Sequence, residues 1–363
     1  MVELRKRKKS VEEVAEGIVK EIRSPRPSPI VQSGVFVSSG CTMLNLALSD
    51  SPYHGYRLGT VVHIIGDTHV GKSLLALTLM AEAAINPALK SYDLVYEEPE
   101  SAMFFPIGEM FGEETASRLR FIPTEKERKK GPRTVQQWHD DLVDGAAPFV
   151  WVTDSFDALT SQDDMKQDSP TKGGWHTEKA GVASQLFPKI VSKIEALKSL
   201  FLWISQTRDN IGVTFGPNKT FNGGNAVKFY RSYAIWLANV GDIKDLIRGK
   251  DRVVGAKVRV KITKNKFTGK VREIDFPVYY AFGVDDVGSM VDWMVAEKYW
   301  EEEKTEKKKT GKIATEDPFI DGRRKDIIKH IEENDLEGKL KEVVGECWQE
   351  LEKEIKPDRK RRY

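Results

Sequence analysis

The sequence has few cysteines and no long apolar run, and each shortage excludes a class of protein. Its two cysteines, Cys41 and Cys347, stand far apart without a CxxC motif or a nearby histidine partner. Neither a disulfide framework nor a zinc site is therefore expected. No apolar stretch approaches the roughly 20 residues that a membrane-spanning helix requires. The basic start MVELRKRKKS is not followed by an apolar segment, so we expect no secretory signal and a cytoplasmic protein.

Acidic and basic side chains are abundant and almost balanced. Lysine and arginine number 57, and aspartate and glutamate 55, among 363 residues, which gives a formal net charge of +2. The basic residues nevertheless cluster at residues 5–9, at residues 125–130 and in the C-terminal stretch KPDRKRRY. Such clusters are usually solvated, and contact with nucleic acid is the alternative. The length allows two domains, or one large domain with appendages, and a substantial core.

Periodicity and proline divide the chain into three predicted parts. Ser10 and Glu13 form a capping box ahead of an apolar stripe, which predicts an amphipathic helix over 10–22. The stretch SPRPSP at 24–29 is typical of a linker. The three parts are an N-terminal helix and proline-rich linker over 1–35 as an oligomerisation element, a core over 36–283, and a small helical C-terminal domain with a basic tail over 284–363.

Within the core, strand-like apolar runs alternate with helical patterns. The predicted strands are TVVHII (60–65), YDLVYE (92–97), PFVWVTDS (148–155), LFLWISQ (200–206), YAIWLANV (233–240) and KVRVKITKNK (257–266). Helices are predicted over 73–85 and over 182–199, the second interrupted or kinked near Pro188. Continuous apolar strands that alternate with helices favour an α/β fold with a mostly parallel central sheet flanked by helices on both faces.

A phosphate-binding loop is predicted between the first of these strands and the helix that follows it. The segment GDTHVGKS fits the pattern GxxxxGK[ST]. Its glycines let backbone amides curl around an anion, and the helix N-terminus adds its dipole. Lys72 is expected to reach the β and γ phosphates, and Ser73 to offer a hydroxyl to Mg²⁺. The predicted ATP-binding residues are Gly66, Asp67, Thr68, His69, Val70, Gly71, Lys72 and Ser73.

Acidic residues follow two of the other predicted strands. Asp154 ends the run FVWVTD, where an acid would hold Mg²⁺ through water. A carboxylate there can also cap a helix or pair with a lysine. Hydrolysis needs a base that orients water toward the γ-phosphate. The segment YEEPES supplies Glu97, Glu98 and Glu100, and spacing alone does not choose among them.

A long glycine-rich segment, TRDNIGVTFGPNKTFNGGN, directly follows the strand that ends at Gln206. Its glycines and its lack of helical or strand periodicity predict a loop over 207–225. Loops of this length inside a compact chain are usually functional.

Four stretches of this chain together resemble the RecA family of DNA recombinases, especially its bacterial members. They are GDTHVGKS with the sequence before it, WVTDSFDALT, WISQTRDNIGVTFGPNKTFNGGNAVKFY and VRVKITKNK. The similarity runs from about residue 38 to residue 280, with a weaker echo in the C-terminal helices. The phosphate loop alone identifies only a superfamily, whereas the segment from Gln206 to Tyr230 is far more specific. The resemblance implies a RecA-type P-loop ATPase core.

The resemblance also implies roles by position. Glu100, in ESAM, takes the place of the catalytic glutamate, with Glu98 as the fallback. Gln206 takes the place of the glutamine that senses the γ-phosphate. Lys264 and Lys266 match paired lysines that reach the ATP of the neighbouring subunit, although KITKNK alone is typical of an edge strand with solvated lysines. The implied catalytic residues are Lys72, Glu100, Gln206, Lys264 and Lys266, and the implied interface residues are Lys228 and Phe229.

Two segments take the place of the family's DNA-binding loops: residues 164–180 match the first, and the residues after Gln206 match the second. The implied DNA-binding residues are Lys172, Trp175, Lys179, Arg208, Ile211, Gly212, Val213, Lys219, Gly223, Gly224 and Asn225. Trp175 is expected either to stack on bases or to pack on the core. Asp209 and Asn210 stand where the family often has an apolar residue and a lysine, which would weaken DNA affinity.

The implied activity is that of an ATP-dependent recombinase that uses ATP and Mg²⁺. It would polymerise as a helical filament on single-stranded DNA and exchange strands with homologous duplex DNA, without a membrane partner. One alternative is a ring-forming helicase or motor of the same fold. A small-molecule phosphotransferase would need an acceptor pocket and a lid. A non-catalytic ATP binder is disfavoured because Lys72, Ser73, Asp154 and Glu100 are all in place.

Overall fold

The computed structural model describes residues 35–100, 105–123, 127, 129, 131–160, 175–209, 219–221, 228–304 and 309–360. For residues 175–184, 208–209, 219, 304 and 309–310 it describes the backbone alone. The predicted N-terminal helix and linker lie outside these ranges. Val35–Tyr363 form one compact unit, and the predicted domain boundaries stay predictions.

Strands and helices alternate through the core. The strands are β1 (Phe36–Val37), β2 (Tyr56–Arg57), β3 (Thr60–Gly66), β4 (Asp93–Glu97), β5 (Leu119–Ile122), β6 (Phe149–Thr153), β7 (Leu200–Asp209), β8 (Lys219–Phe221), β9 (Tyr233–Ile247), β10 (Lys250–Asn265), β11 (Arg272–Tyr279), β12 (Gly283–Val284), β13 (Glu301–Lys304), β14 (Lys309–Ala314) and β15 (Gly322–Arg323). The helices are α1 (Thr42–Ser49), α2 (Lys72–Ile85), α3 (Ile107–Phe111), α4 (Glu113–Arg118), α5 (Val135–Asp144), α6 (Trp175–Ala196), α7 (Asp286–Ala296), α8 (Arg324–Glu333) and α9 (Glu337–Glu354).

One large sheet organises the molecule. Its strand order is β12–β11–β10–β9–β3–β7–β6–β4–β5, and β8 pairs with β7 off this path. From β9 to β5 neighbouring strands run parallel, whereas β10, β11 and β12 join antiparallel at the other side. The predicted α/β fold with a mostly parallel central sheet is confirmed.

The sheet is buried on both faces, which explains why its central strands are continuously apolar. Side chains alternate between the faces along a strand. Val62 and Ile64 of β3 therefore join a cluster that contains residues of α1 and α2, whereas Val61 and Ile65 join a second cluster with α5 and α6. Helices on both faces of the sheet confirm the predicted layering.

The hairpin formed by β9 and β10 is longer than predicted. The two predicted strands form only its base, because β9 continues to Ile247 and β10 begins at Lys250. The outer part is largely exposed, and Leu246 near its tip is 68% exposed. Pairing between the two strands maintains this arm without burying an apolar face, so apolar periodicity gave no signal for it.

The C-terminal region contains a small sheet as well as helices. Helices α8 and α9 agree with the predicted helical C-terminal domain, but β13, β14 and β15 also form an antiparallel sheet that was not predicted. The strand residues of β13 are all charged, EEEK, so they carry no apolar alternation. The core side of α9 is tied to the main sheet by Arg272 of β11, which pairs with Asp50 and Glu352 and lies over the ring of Trp348. In the part of the chain that the structure describes, no helix is long and apolar enough to cross a bilayer.

Candidate nucleotide site

The sheet brings the predicted nucleotide residues to one edge. Parallel strands β3, β7, β6 and β4 all end there. Gln206 on β7 pairs in register with Gly66 on β3. The amide of Asp154, just past β6, donates to the carbonyl oxygen of Glu97 at the end of β4, at 2.8 Å. Residues that are far apart in sequence therefore meet because parallel strands share their carboxyl edge, where ligands bind in open α/β sheets.

Two glycines give the phosphate loop its shape. Gly66 ends β3 so close to its neighbours that an added Cβ would lie 2.8 Å from the carbonyl oxygen of Leu237 and 2.8 Å from Val70. Gly71, immediately before α2, has a φ of 85°, in the left-handed region that favours glycine. Strand, loop and helix thus follow the predicted order, with the amino end of α2 facing the loop.

Lys72 lies at the start of α2 with only 8% of its surface exposed. Its Nζ donates to the backbone carbonyl oxygen of Asp67 in the same loop. Burial lowers the pKa of Lys72, and the nearby carboxylates of Asp154, Asp67, Glu100 and Asp157 oppose that effect. A buried cation held inside a curled loop is suited to an anionic ligand such as a phosphate group.

The two predicted Mg²⁺ ligands meet at one phenol. The Tyr96 hydroxyl donates to Oδ2 of Asp154 at 2.7 Å, and the Ser73 hydroxyl hydrogen-bonds the same phenol oxygen. Mg²⁺ is usually held by one or two protein oxygens together with phosphates and water. The Ser73 hydroxyl and the Asp154 carboxylate, which hydrogen-bond the same phenol, fit that requirement. Among the described residues there is no group of three or more His, Cys, Asp or Glu side chains that would hold a metal by themselves.

The three candidate glutamates have different surroundings. Glu97 is fully buried, where Arg133 donates to its Oε1 at 2.8 Å and Trp151 and Thr153 donate to its Oε2 at 3.1 and 3.0 Å. Burial raises the pKa of Glu97, and Arg133 opposes the rise. A carboxylate with both oxygens committed to the interior has a structural role.

Glu98 and Glu100 differ in their access to the site. Glu98 is 5% exposed. Glu100 is exposed, and its Oε1 accepts a hydrogen bond from Ser155 Oγ at 2.8 Å, next to Asp154. Of the three, Glu100 combines solvent access with a position close to Lys72. Its assignment as the catalytic base is consistent with this arrangement and stays a prediction.

Side chains of the nucleotide site hold the end of β7. The backbone amide of Gln206 donates to Oδ2 of Asp157 at 2.9 Å. The hydroxyl of Thr207 donates to Oδ1 of Asp67 in the phosphate loop. The sequence analysis included Asp67 only as a member of the loop, and it missed Asp157 and Thr207. The one available signal was that Asp157 follows Asp154 closely in DSFDALT.

The predicted interface residues lie together, toward the other end of β3. Lys264 on β10 pairs with Ala234 on β9, and Ala234 pairs with His63 on β3. His63 lies three residues before Gly66, which is about 10 Å along the strand at roughly 3.3 Å per residue. Lys264 Nζ donates to the carbonyl oxygens of Lys228 and Phe229, at 2.8 and 3.1 Å.

The same group of residues is cationic and partly apolar at its surface. Phe229 is 71% exposed, and Lys266 is exposed as well. Burial, followed by the charges of Lys266 and Arg231, lowers the pKa of Lys264. Exposed apolar and basic side chains at a distance from the chain's own phosphate loop are suited to contact with another molecule.

All eleven predicted DNA-binding residues lie outside the described residues or are described only by their backbone. Outside lie Lys172, Ile211, Gly212, Val213, Gly223, Gly224 and Asn225, and backbone alone is described for Trp175, Lys179, Arg208 and Lys219. Helix α6 begins at Trp175, so the predicted first loop over 164–180 is helical at its end. The residues WHTEKA contain neither glycine nor proline, so α6 starts at Trp175 instead of the predicted residue 182. It continues through Pro188, so the helix is not interrupted there. The predicted loop over 207–225 is wrong at two places, because β7 continues to Asp209 and Lys219–Phe221 form β8, which pairs antiparallel with it.

A buried polar cluster beneath the site was not predicted. His63 Nε2 lies 3.0 Å from Ser205 Oγ, and Arg231 donates to His63 Nδ1 at 3.0 Å. The ring of Phe221, on β8, packs against both His63 and the Arg231 guanidinium. The histidine within the otherwise apolar TVVHII was the available signal. The cluster joins β3, which leads into the phosphate loop, to β7, which contains Gln206.

This cluster predicts a pH dependence of stability. Burial, together with the Arg231 charge, lowers the pKa of His63 well below its usual value. Below about pH 6.5 the unfolded chain therefore binds a proton that the folded chain does not. The free energy of unfolding should fall by up to about 1.4 kcal/mol per pH unit as the pH drops from there, and should gain nothing from His63 above it.

Urea unfolding at several pH values between about 5 and 7.5 measures this effect. His63→Gln should reduce the slope below about pH 6.5. His330→Gln, in α8, controls for the loss of a histidine elsewhere. An unchanged slope in His63→Gln would contradict the assignment.

Comparison with known proteins agrees with this geometry. The model of the RecA N-terminal domain matches residues 30–285. Protein RecA of Gluconobacter oxydans is 31% identical over 265 residues, which cover 73% of this chain and 71% of that protein. Protein RecA of Paramagnetospirillum magneticum is 31% identical over 257 residues, 70% of this chain and 66% of that protein. Protein RecA of Gluconacetobacter polyoxogenes is 30% identical over 257 residues, which cover 70% of this chain and 68% of that protein. The matched range contains the phosphate loop, Asp154 and Gln206 of β7, and the chain belongs to the RecA family.

Proposed function

We propose that this chain is an ATP-dependent recombinase that polymerises on single-stranded DNA and catalyses homologous pairing and strand exchange. One observation carries the proposal. Gln206 lies opposite Gly66 in the sheet and directly precedes the glycine-rich segment 207–225. Strand β7 therefore connects a position next to the phosphate loop with a long segment whose composition is suited to nucleic-acid binding.

In the proposed ATP site, Lys72 and the amides of the phosphate loop bind the phosphates. Glu100 orients a water molecule toward the γ-phosphate and accepts its proton. Ser73 would hold Mg²⁺ directly and Asp154 through water, and the ion would neutralise charge on the phosphates. Gln206 offers an amide that can hydrogen-bond the γ-phosphate from the neighbouring strand.

The segment 207–225 is the proposed contact to DNA. Its glycine amides suit phosphate contacts that do not depend on base sequence. Arg208 and Lys219 add positive charge, and apolar residues such as Ile211 and Val213 can pack against bases. ATP can alter DNA affinity only by its differential affinity for two states of this segment, and each tenfold change corresponds to about 1.4 kcal/mol.

The cationic group at the other end of β3 is proposed to face a neighbouring subunit. Lys264 and Lys266 would reach that subunit's ATP, with Lys228 and Phe229 in the same interface. The distance of this group from its own phosphate loop supports an action between subunits. Bound ATP would then favour assembly into a filament, because cations from one chain would neutralise phosphates held by the next.

Affinity for a labelled single-stranded oligonucleotide, measured with ATP, with ADP and without nucleotide, tests the proposal. ATP should increase affinity by at least about tenfold, and affinity should fall steeply with salt because phosphate contacts release counterions. Electron microscopy should show open helical filaments, and a joint-molecule assay should show strand exchange with a homologous duplex. Equal affinity in all three nucleotide conditions would contradict the proposal. Closed rings that unwind duplexes would indicate a helicase instead.

A further inference from the structure

A side-chain contact connects the phosphate loop directly to Thr207 on β7, the first residue of the segment 207–225. Thr207 Oγ donates to Oδ1 of Asp67, a residue 140 positions away in sequence. Thr207 is the residue after Gln206, and the chain continues from it toward Asn210. A movement of Asp67 therefore acts on Thr207 without passing through the interior of the protein.

Asp67 is placed to respond to a bound nucleotide. It lies in a loop whose amides and Lys72 attract an anion, and it is one of the carboxylates whose charge acts on Lys72. An anionic side chain in such a loop is repelled by a bound phosphate group. Asp67 and Thr207 are both partly exposed, so neither is locked by close packing. Asp67 interacts electrostatically with Lys72, and a bound phosphate group would compete with it for that interaction.

The adjacent backbone is held as well. The amide of Gln206 donates to Asp157, whose charge also acts on Lys72. Two carboxylates near the same cation thus hold consecutive residues at the end of β7. Of the two contacts, the Asp67 contact involves the phosphate loop itself, and only a side-chain hydroxyl makes it, so it can be removed without altering the backbone.

We propose that the Asp67–Thr207 hydrogen bond transmits occupancy of the phosphate loop to the segment that follows β7, with Asp67 and Thr207 as positioning residues. This inference rests on the proposed function, because it concerns how ATP controls DNA affinity. It assigns part of that control to a contact beside Gln206 and distinct from its amide. Neither residue takes part in the chemical step.

The variant Thr207→Val tests the proposal, because valine keeps the β-branched shape suited to a strand and lacks the hydroxyl. The measured quantity is the ratio of Kd for a labelled single-stranded oligonucleotide without and with a non-hydrolysable ATP analogue. A hydrogen bond to a charged group is worth about a tenfold change in such a ratio. Thr207→Val should therefore reduce the ratio about tenfold, while the Kd for the analogue alone changes less than about threefold.

Three further variants separate this contact from general damage. Thr207→Ser keeps the hydroxyl and should keep the ratio. Thr263→Val, at an exposed threonine of β10 whose hydroxyl lies 3.4 Å from the Ala234 carbonyl oxygen, is the matched control and should keep it as well. Asp67→Ala removes the same contact from the other side, so it tests the proposal even if Thr207→Val does not fold. The double variant Asp67→Ala/Thr207→Val should lower the ratio no further than Thr207→Val alone.

The outcomes distinguish the inference from the function on which it rests. If the original protein shows no dependence of DNA affinity on the analogue, the proposed function fails and the inference fails with it. If the original protein shows the dependence and both Thr207→Val and Asp67→Ala retain it in full, the inference is wrong and the proposed function stands. Additive losses in the double variant would also overturn it, because independent effects do not arise from one shared hydrogen bond.

Discussion

Replacing Lys72 with alanine is expected to abolish ATP binding under ordinary assay conditions. The lysine is almost fully buried, and it is the single lysine or arginine in the loop sequence GDTHVGKS. The proposed hydrogen bonds from Lys72 to phosphate oxygens would be charge-assisted, and two of them would be worth about 3 to 6 kcal/mol. The Kd for ATP should therefore rise by at least about 100-fold. Isothermal titration calorimetry with ATP measures this change.

A matched control is available at the tip of the β9–β10 hairpin. Lys250 is exposed there, so Lys250→Ala removes the same side chain far from the site in the fold. It should leave ATP affinity unchanged within about twofold. Removal of Lys72 should also lower hydrolysis to background. Normal ATP turnover by Lys72→Ala would show that the phosphate loop is not the nucleotide site.

Replacing Glu100 with glutamine is expected to stop ATP turnover while nucleotide and DNA binding persist. Glutamine keeps the shape and an oxygen that can accept the hydrogen bond from Ser155, but it cannot take a proton from water. Loss of a general base typically lowers the rate by about 10² to 10⁴. Steady-state hydrolysis with saturating single-stranded DNA measures the rate, and the two Kd values should stay within about threefold.

The neighbouring glutamates provide the controls for this experiment. Glu98→Gln should retain turnover. If Glu98→Gln loses it and Glu100→Gln does not, the positional assignment is wrong by two residues. Glu97→Gln should act differently from both, because it leaves Arg133 without its buried ionic partner. Breaking a buried pair in this way costs about 3 to 5 kcal/mol of stability, which thermal unfolding would detect independently of hydrolysis.

The sequence predicted the framework of the fold because that framework depends on local patterns. Continuous apolar runs such as TVVHII are typical of strands covered on both faces, and GDTHVGKS identifies the turn between a strand and a helix. The sheet, its helices on two faces, and the two C-terminal helices follow from such patterns. The β9–β10 arm and the β13–β15 sheet could not be predicted this way, because strand pairing rather than apolar periodicity maintains them.

The candidate site was predictable in its residue types but not in its contacts. Spacing alone left Glu97, Glu98 and Glu100 as candidates, and the family resemblance favoured Glu100. The fold shows how they differ, because Glu97 forms a buried ion pair with Arg133 and Glu100 is an exposed carboxylate beside Ser155. Pairing across the sheet likewise brings Thr207 to Asp67. Register between distant strands is a property of the tertiary structure, so no local pattern could indicate this contact.

The ionic and aromatic contacts of Arg272 have a practical consequence for shortened versions of the protein. Trp348 donates to Oδ1 of Asp50 at 3.1 Å, and Arg272 reaches both Asp50 and Glu352. A stop codon placed before α9 would leave the Arg272 guanidinium without Glu352 and the Asp50 carboxylate without its indole partner. It would also expose apolar side chains of α1 that belong to the same cluster as those of α9, so we expect poor solubility on expression. Trimming only the charged residues after Lys356 removes none of these contacts and is the safer choice for crystallisation.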